Sequence, residues 1–313
     1  SWVYWEEVFA RRDIGYWWSE DSTALAYLRT DESAVTEMIY QGFEPNIPAL
    51  TRQRYPKTGG VNPTVRLGVL ELSTGETTWV DLSGHEHEYI VRVNWLKDSR
   101  RLAVQTMNRP QTRLDLFFAG RADGKVEHIL TEQDKGWVNI HDDLYFLKNS
   151  ERFLWASERS GYMHLYLYDM KGKLLGPVTS GDWAIRSAAG AVSWLRQAVH
   201  AIDEKGGWVY FTSIRKSSIE KHLYRVRFDG SGLERLTKAD GTHGVGFSPD
   251  GKYYFNQHSS SSLPPSLSLN AADGRRLKLL AAPREEIFRS LGMRAAQHFS
   301  ISTADGFKMP AQL

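Results

Sequence analysis

The chain has 313 residues, 41% of them hydrophobic and 24% charged, so it carries the apolar material of a globular core. Its 39 basic and 37 acidic residues leave a net charge of +2, which gives no electrostatic footprint for a nucleic-acid partner. The absence of cysteine excludes disulfides, thiolate zinc sites and a cysteine nucleophile, and no uncharged apolar run approaches the ~18 residues of a membrane span.

The first residues, Ser1-Trp2-Val3-Tyr4-Trp5-Glu6-Glu7, do not read as a signal peptide. Glu6 and Glu7 stand in an aromatic setting, with Trp2, Tyr4 and Trp5 before them and Phe9 after. Residues 5–11 can form a short helix, on which adjacent carboxylates diverge by about 100° yet still lean onto one shared cation. Two partly desolvated carboxylates repel each other unless a cation lies between them, and an ammonium group offers three donors. The residues alone leave a second reading open, a solvated helix start at which acids favour the positive dipole end.

A pattern then recurs five times: an aromatic or apolar residue, a polar turn, and a short apolar strand. It begins at Trp18-Ser19-Glu20-Asp21-Ser22, Trp95-Leu96-Lys97-Asp98-Ser99, Phe146-Leu147-Lys148-Asn149-Ser150, Ile202-Asp203-Glu204-Lys205-Gly206 and Phe247-Ser248-Pro249-Asp250-Gly251. Each unit continues into a third strand, at 67–72, 114–118, 165–168, 223–228 and 266–269, closed by a turn with Gly75, Gly124, Gly172, Gly230 or Gly274. Fourth strands follow, as at 126–130 and 233–236. Counted from Asp98, Asn149, Lys205 and Asp250, the last four glycines lie 26, 23, 25 and 24 residues on. From Asp21 to Gly75 the count is 54, which places an insertion near 31–66.

Four short strands per unit, repeated along the chain, predict an all-β fold: a β-propeller of four-stranded antiparallel blades. One four-stranded sheet cannot bury both of its faces, whereas stacked blades cover one another. The 11 Trp, 14 Tyr and 13 Phe are assigned mainly to that blade core. Helix is expected only at 5–11 and 285–294, and residues 259–265 read as a polar loop closed by proline.

Motifs for chemistry are sparse. No G-x-S-x-G elbow, P-loop or H-E-x-x-H is present. Gly246-Phe247-Ser248-Pro249-Asp250 ends in aspartate and reads as a hairpin turn. His85-Glu86-His87-Glu88 lacks the spacing of a zinc helix, and after Ser83-Gly84 it reads as an exposed loop. His141-Asp142-Asp143 has donors for a metal, but a strand-entry turn is the simpler assignment. No metal, cofactor or catalytic residue is expected in this chain.

Several strings resemble the propeller domain of the dipeptidyl peptidase IV family. They are Trp2-Val3-Tyr4-Trp5-Glu6-Glu7-Val8-Phe9, Tyr16-Trp17-Trp18-Ser19, Leu25-Ala26-Tyr27, Asp31-Glu32-Ser33, Tyr55-Pro56-Lys57 and Asn62-Pro63-Thr64-Val65. Trp137-Val138-Asn139-Ile140-His141-Asp142-Asp143 and Ser157-Glu158-Arg159-Ser160-Gly161-Tyr162 resemble bacterial members in particular. The resemblance implies an eight-bladed propeller joined to an α/β-hydrolase domain in a serine exopeptidase that removes N-terminal dipeptides, usually with proline second. It implies that Glu6 and Glu7 bind the free α-amino group of a peptide substrate, and that Ile140 and His141 line the far side of the cleft.

Against the family pattern, residues 1–297 are expected to form a partial propeller of about five of the eight blades, either open or closed into a smaller ring. Residues 298–313 are expected to lead into the hydrolase domain, with about three blades before residue 1 and the catalytic triad beyond Leu313. The function so implied is that of the substrate-gating and N-terminus-recognising portion of a dipeptidyl aminopeptidase, in a periplasmic or exported protein. Its expected partners are the peptide, the hydrolase domain and, through uncovered blade faces, further copies of the chain. A propeller acting only as a protein-binding scaffold is the alternative, since fold alone does not decide function.

Overall fold

The computed structural model describes residues 14–42, 49–186, 197–292 and 294–313. The chain divides into two compact units, Ser1–Ile140 and His141–Leu313.

In the first unit, β1 (Tyr16–Trp18) and β2 (Ala24–Asp31) open a sheet that a separate hairpin interrupts, made of β3 (Glu37–Gln41) and β4 (Leu50–Arg54). The sheet resumes with β5 (Thr64–Glu71) and β6 (Thr77–Trp79), in the order β1-β2-β5-β6. A second sheet follows as an uninterrupted meander of β7 (Tyr89–Trp95), β8 (Arg101–Met107), β9 (Arg113–Gly120) and β10 (Val126–Gln133). Alternation along the strands sends Ala24, Ala26, Leu67 and Val69 of the first sheet against Val93, Trp95, Leu102, Val104 and Phe117 of the second. The indole N–H of Trp95 donates to Trp17 O at 2.9 Å. Arg121 adds a polar tie, pairing with Glu71 at 2.7 Å and donating to Ser99 O at 3.1 Å.

The second unit holds three more sheets of the same design. The third sheet comprises β11 (Leu144–Phe146), β12 (Arg152–Ser157), β13 (His164–Asp169) and β14 (Leu174–Pro177). The fourth comprises β15 (Val199–Asp203), β16 (Trp208–Ser213), β17 (His222–Arg227) and β18 (Glu234–Arg235). The fifth comprises β19 (Thr242–Phe247), β20 (Tyr253–Ser259), β21 (Ser266–Ala271) and β22 (Arg276–Ala281). Leu154, Leu165 and Leu167 pack on Val209, Phe211 and Val226 between the third and fourth sheets, and Tyr210, Leu223 and Leu236 pack on Tyr254 between the fourth and fifth. Burial of each such side chain contributes about 1.5–3 kcal/mol. The chain closes with α1 (Glu285–Ser290), shorter than the 285–294 expected because Gly292 turns the backbone to φ +63°, and with the hairpin of β23 (His298–Ser302) and β24 (Lys308–Gln312).

Five four-stranded antiparallel sheets are therefore present, and their turns carry the chemistry of the repeat. Ser19 Oγ donates to Asp21 at 2.6 Å and accepts the Ala24 N–H at 3.0 Å. Ser248 does the same with Asp250 at 2.7 Å and the Tyr253 N–H at 3.1 Å. A left-handed turn position is filled by Ser22, Ser99, Gly207 and Gly251 in the first, second, fourth and fifth sheets. The repeated glycines of the second hairpin, Gly75, Gly124, Gly172, Gly230 and Gly274, all have φ between +67° and +93°. Only glycine adopts that conformation at no steric cost. At Gly124 a Cβ would also lie 2.1 Å from Trp79 O.

Not every aromatic joins the core as the repeat suggests. Tyr16 and Trp18 on the first sheet and Tyr253 and Phe255 on the fifth are exposed, as is Trp137 in the connection after β10.

Candidate functional site

Glu6 and Glu7, the residues expected to bind a peptide amino group, lie outside the described residues, as does the helix expected at 5–11. The motifs nearest them in sequence are placed. Tyr16-Trp17-Trp18 forms β1, and Leu25-Ala26-Tyr27 pairs with it in register on β2. Asn62, from the string 62–65, donates its amide to Glu88 Oε1 at 2.7 Å and to the Tyr89 hydroxyl at 3.0 Å, which anchors the entry to β5 on the second sheet.

The His85–Glu88 string does not converge on a point. His85 is exposed and stacks edge-on against Phe117, His87 bonds to His85 O, and Glu88 is taken by Asn62. Among the described residues no three histidines or carboxylates gather in a way that could hold a metal.

His141-Asp142-Asp143 forms the approach to β11. Asp143 is only 2% exposed, and its oxygens accept the N–H of Ala198 at 2.9 Å, the N–H of Val199 at 3.2 Å and the Tyr145 hydroxyl at 2.9 Å. Burial pushes the carboxyl up to about 6, against these hydrogen bonds and with help from the Asp142 charge. Burial beside Asp143 likewise raises the Tyr145 phenol. His141 is buried, accepts the Asp143 N–H at Nδ1, and meets the Trp155 ring edge-on at 4.6 Å. Nδ1 therefore carries no proton, and the ring presents its N–H at Nε2. Ile140, at the end of the first unit, is partly buried. The triplet is thus a strand-entry clamp, the simpler of the two assignments its sequence allowed.

The 157–162 string is the turn from β12 to β13. Arg159 donates to Ser157 Oγ at 2.9 Å and lies over the Tyr166 ring at 4.6 Å. Ser248, in the string that most nearly matches a nucleophile elbow, gives its proton to Asp250 within a hairpin turn. The pair of half-buried His200 and buried Thr212 has a similar fate: the Thr212 hydroxyl donates to Arg186 O and receives the imidazole N–H at 3.1 Å. The Ser248 bond is internal to its turn, and the Thr212 proton is directed at a carbonyl rather than at the imidazole.

Two features lie outside the strand-and-turn repeat. His164 and Thr179, and His222 and Thr237, form the same buried pair in consecutive sheets, fifteen residues apart in each. Each threonine oxygen also accepts the N–H of the leucine after its histidine. The shared tripeptide His-Leu-Tyr at 164–166 and 222–224 was the available signal. The second feature is a row of imidazoles, His222, His243 and His258, joined to Glu220 and Lys216 where the fourth and fifth sheets meet.

Comparison with known proteins assigns the lineage. Residues 1–265 match the family model described as the dipeptidyl peptidase IV (DPP IV) N-terminal region. Among curated relatives, the probable dipeptidyl-aminopeptidase B of Emericella nidulans is 32% identical over 84% of this chain and 31% of its own length. The dipeptidyl peptidase 4 of Trichophyton rubrum is 28% identical over 88% of this chain and 36% of its own. The chain thus spans about a third of the length of these relatives. The crystal structure of Porphyromonas gingivalis dipeptidyl peptidase 4 superposes with a TM-score of 0.84 and 28% identity, over 99% of this chain and 43% of that one. Sequence and fold agree, and the chain belongs to the dipeptidyl peptidase IV family, within its N-terminal propeller region.

Proposed function

We propose that this chain is the substrate-gating and N-terminus-recognising propeller portion of a serine dipeptidyl aminopeptidase that removes N-terminal Xaa-Pro dipeptides from peptides in the periplasm or outside the cell. The observation that carries this reading is the family match across residues 1–265, which includes the acidic pair Glu6-Glu7 in its aromatic flank. The α-ammonium of a peptide has three N–H donors, which two adjacent carboxylates accept while its positive charge offsets their mutual repulsion. Anchoring the amino terminus sets the distance to the second peptide bond, which reaches the nucleophile of an α/β-hydrolase domain in the same protein. The pair acts as a ruler, and its contribution to catalysis is positioning.

The test uses the full-length protein with Glu6→Ala, Glu7→Ala and the double variant. A charge-assisted hydrogen bond contributes about 1.5–3 kcal/mol, so kcat/KM on a Gly-Pro substrate falls about tenfold to hundredfold for each single change. Acetylating the substrate's amino group costs a comparable factor. Parental turnover by the double variant overturns the ruler and leaves the propeller as a scaffold.

A further inference from the structure

The dipeptide Asp-Gly occurs six times, at 123–124, 229–230, 240–241, 250–251, 273–274 and 305–306. It is open to an internal reaction that other links resist, because glycine has no side chain to shield its nitrogen. That nitrogen attacks Cγ of the preceding aspartate in its neutral acid form. An N–Cγ bond forms and the Cγ–OH bond breaks, and the hydroxyl leaves with the amide proton as water. The product is a five-membered succinimide, which solvent water opens at either carbonyl. Opening at Cγ restores aspartate. Opening at the main-chain carbonyl gives isoaspartate, whose backbone runs through Cβ and Cγ.

The six sites are restrained to different degrees. In five of them the glycine N–H donates to a carbonyl three or four residues back, at 2.9–3.0 Å, and Gly241 donates to Glu220 at 3.3 Å instead. Packing then separates them. A Cβ at Gly124, Gly230, Gly241 or Gly274 would meet a neighbouring backbone carbonyl within 3.4 Å, so those turns are held from outside. At Gly251 and Gly306 it would meet nothing within 4 Å. The two unpacked turns share a hydroxyl two residues before the aspartate: Ser248 donates to Asp250 at 2.7 Å, and Thr303 donates to Asp305. They differ in what supports it. Asp250 also accepts the Lys252 N–H at 3.2 Å and pairs with Lys252 Nζ at 3.4 Å, between two strands of a four-stranded sheet. Asp305 has the Phe307 N–H at 3.4 Å, and its turn joins β23 to β24, a two-stranded sheet whose residues, Ala311 apart, are all exposed. A hairpin of two strands is marginally stable in water, so this turn opens by local fraying.

We propose that Asp305 is the first site of spontaneous isoaspartate formation in this chain, and that the Thr303 hydroxyl is the guard that slows it. The reaction needs a carboxyl that is free to swing onto the Gly306 nitrogen, and the Thr303 bond fixes it in the turn. The reaction also needs the neutral acid, since hydroxyl leaves far more readily than oxide. The Thr303 hydroxyl, ahead of the Phe307 N–H, holds the Asp305 carboxyl below the usual carboxylate range and so keeps the neutral form scarce. Isoaspartate adds one atom to the main chain between residues 305 and 306. The pairing of Ser302 with Lys308, which closes the turn, then no longer fits its length.

The experiment incubates the full-length protein at neutral pH and body temperature over several weeks. Isoaspartate is followed peptide by peptide, by isoaspartate-specific carboxyl methylation and by electron-transfer fragmentation. The expected result is that 305 converts ahead of the other Asp-Gly sites. In Thr303→Val the rate at 305 rises about two- to tenfold, the worth of one hydrogen bond, and the rate at 250 stays at the parental value. Thr303→Ser, which keeps the hydroxyl, keeps the parental rate at 305. A parent in which 305 converts no faster than 123 or 250 overturns the site. A parental rate at 305 in Thr303→Val, or a Thr303→Ser as fast as Thr303→Val, overturns the guard.

Discussion

Asp143 and Ala198, fifty-five residues apart in sequence, are joined by a carboxylate whose two oxygens each lie 2.9 Å from one backbone N–H. The contact ties the approach to β11 to the approach to β15, so one side chain sets the spacing of the first strands of two successive sheets. With its carboxyl raised to about 6 by burial, Asp143 holds its proton in the folded chain across a window in which the unfolded chain has lost it. The native state then binds more protons between about 3.8 and about 6. The contribution of this group to stability is therefore full below the lower value and declines as pH rises through the upper one. Asp143→Asn, which keeps an acceptor without a charge, is expected to be at least as stable as the parent near pH 8 and to show a flatter pH dependence between about 4 and 6. Asp143→Ala takes the acceptor from the Ala198 and Val199 N–H groups, while the Tyr145 hydroxyl keeps Val199 O at 3.2 Å; it is expected to lose about 2 kcal/mol or more, at about 1–3 kcal/mol for each stranded N–H. Denaturant unfolding across this pH range checks both outcomes.

The repeated glycines are not equivalent, although the sequence treats them alike. Gly75 and Gly124 share a positive φ, but a Cβ at Gly75 meets nothing within 4 Å, and one at Gly124 meets the Trp79 carbonyl. Gly75→Ala is expected to cost about 1–2 kcal/mol, the backbone penalty alone. Gly124→Ala must also push the β9–β10 turn away from β6, and its denaturation midpoint is expected to fall clearly further.

Thr179 and Thr237 carry the same duty in neighbouring sheets, each serving a histidine and a leucine N–H. Replacement by valine keeps the shape and removes the hydroxyl. Each variant is expected to lose about 1–3 kcal/mol, because a buried N–H and a ring nitrogen are left unsatisfied. The two losses should add, since the sites share no partner. Equal stability of parent and Thr179→Val would show that this pair is incidental to the blade.

What was legible in the sequence was whatever repeats locally. The turn at Ser19–Ala24 recurs at Ser248–Tyr253 because the serine and aspartate side chains fold the turn themselves, without help from distant residues. The glycine of the second hairpin is legible for a similar reason, a local demand on φ. The hairpin β3–β4 showed only as an interval too long for a blade, since strand spacing carries no pairing partner. The imidazole row was not legible. His222, His243 and His258 come from three strands of two sheets, and only their packing brings them together. Asp143 looked like half of a metal site because a sequence shows neighbours along the chain, whereas its partners Ala198 and Val199 arrive from the next sheet. The assignment of aromatics to the core succeeded for Trp155 and Phe211 and failed for Trp18 and Phe255, which have the same residue character and differ only in whether a neighbouring sheet covers them.

Those exposed aromatics lead to the last prediction. On β1, Trp17 points into the core, while Tyr16 and Trp18 on the opposite face are 50% and 54% exposed. On β20, Tyr254 is buried, while Tyr253 and Phe255 on the opposite face are 45% and 52% exposed. A sheet that is apolar on both faces is built to be covered on both. Apolar patches above a few hundred Å² act as interaction surfaces. A second copy of the chain offers faces of the same architecture, so the chain on its own is expected to self-associate. Sedimentation velocity over a range of concentrations should show the weight-average coefficient rising with concentration. Phe255→Lys and Trp18→Lys, each placing a charge on an exposed face at no cost to the buried one, should lower that rise while leaving the thermal midpoint nearly unchanged. Where neighbouring sheets of a longer protein cover these faces, the concentration dependence should vanish. A parent chain that sediments as a monomer at every concentration would mean that the two faces tolerate water as they stand.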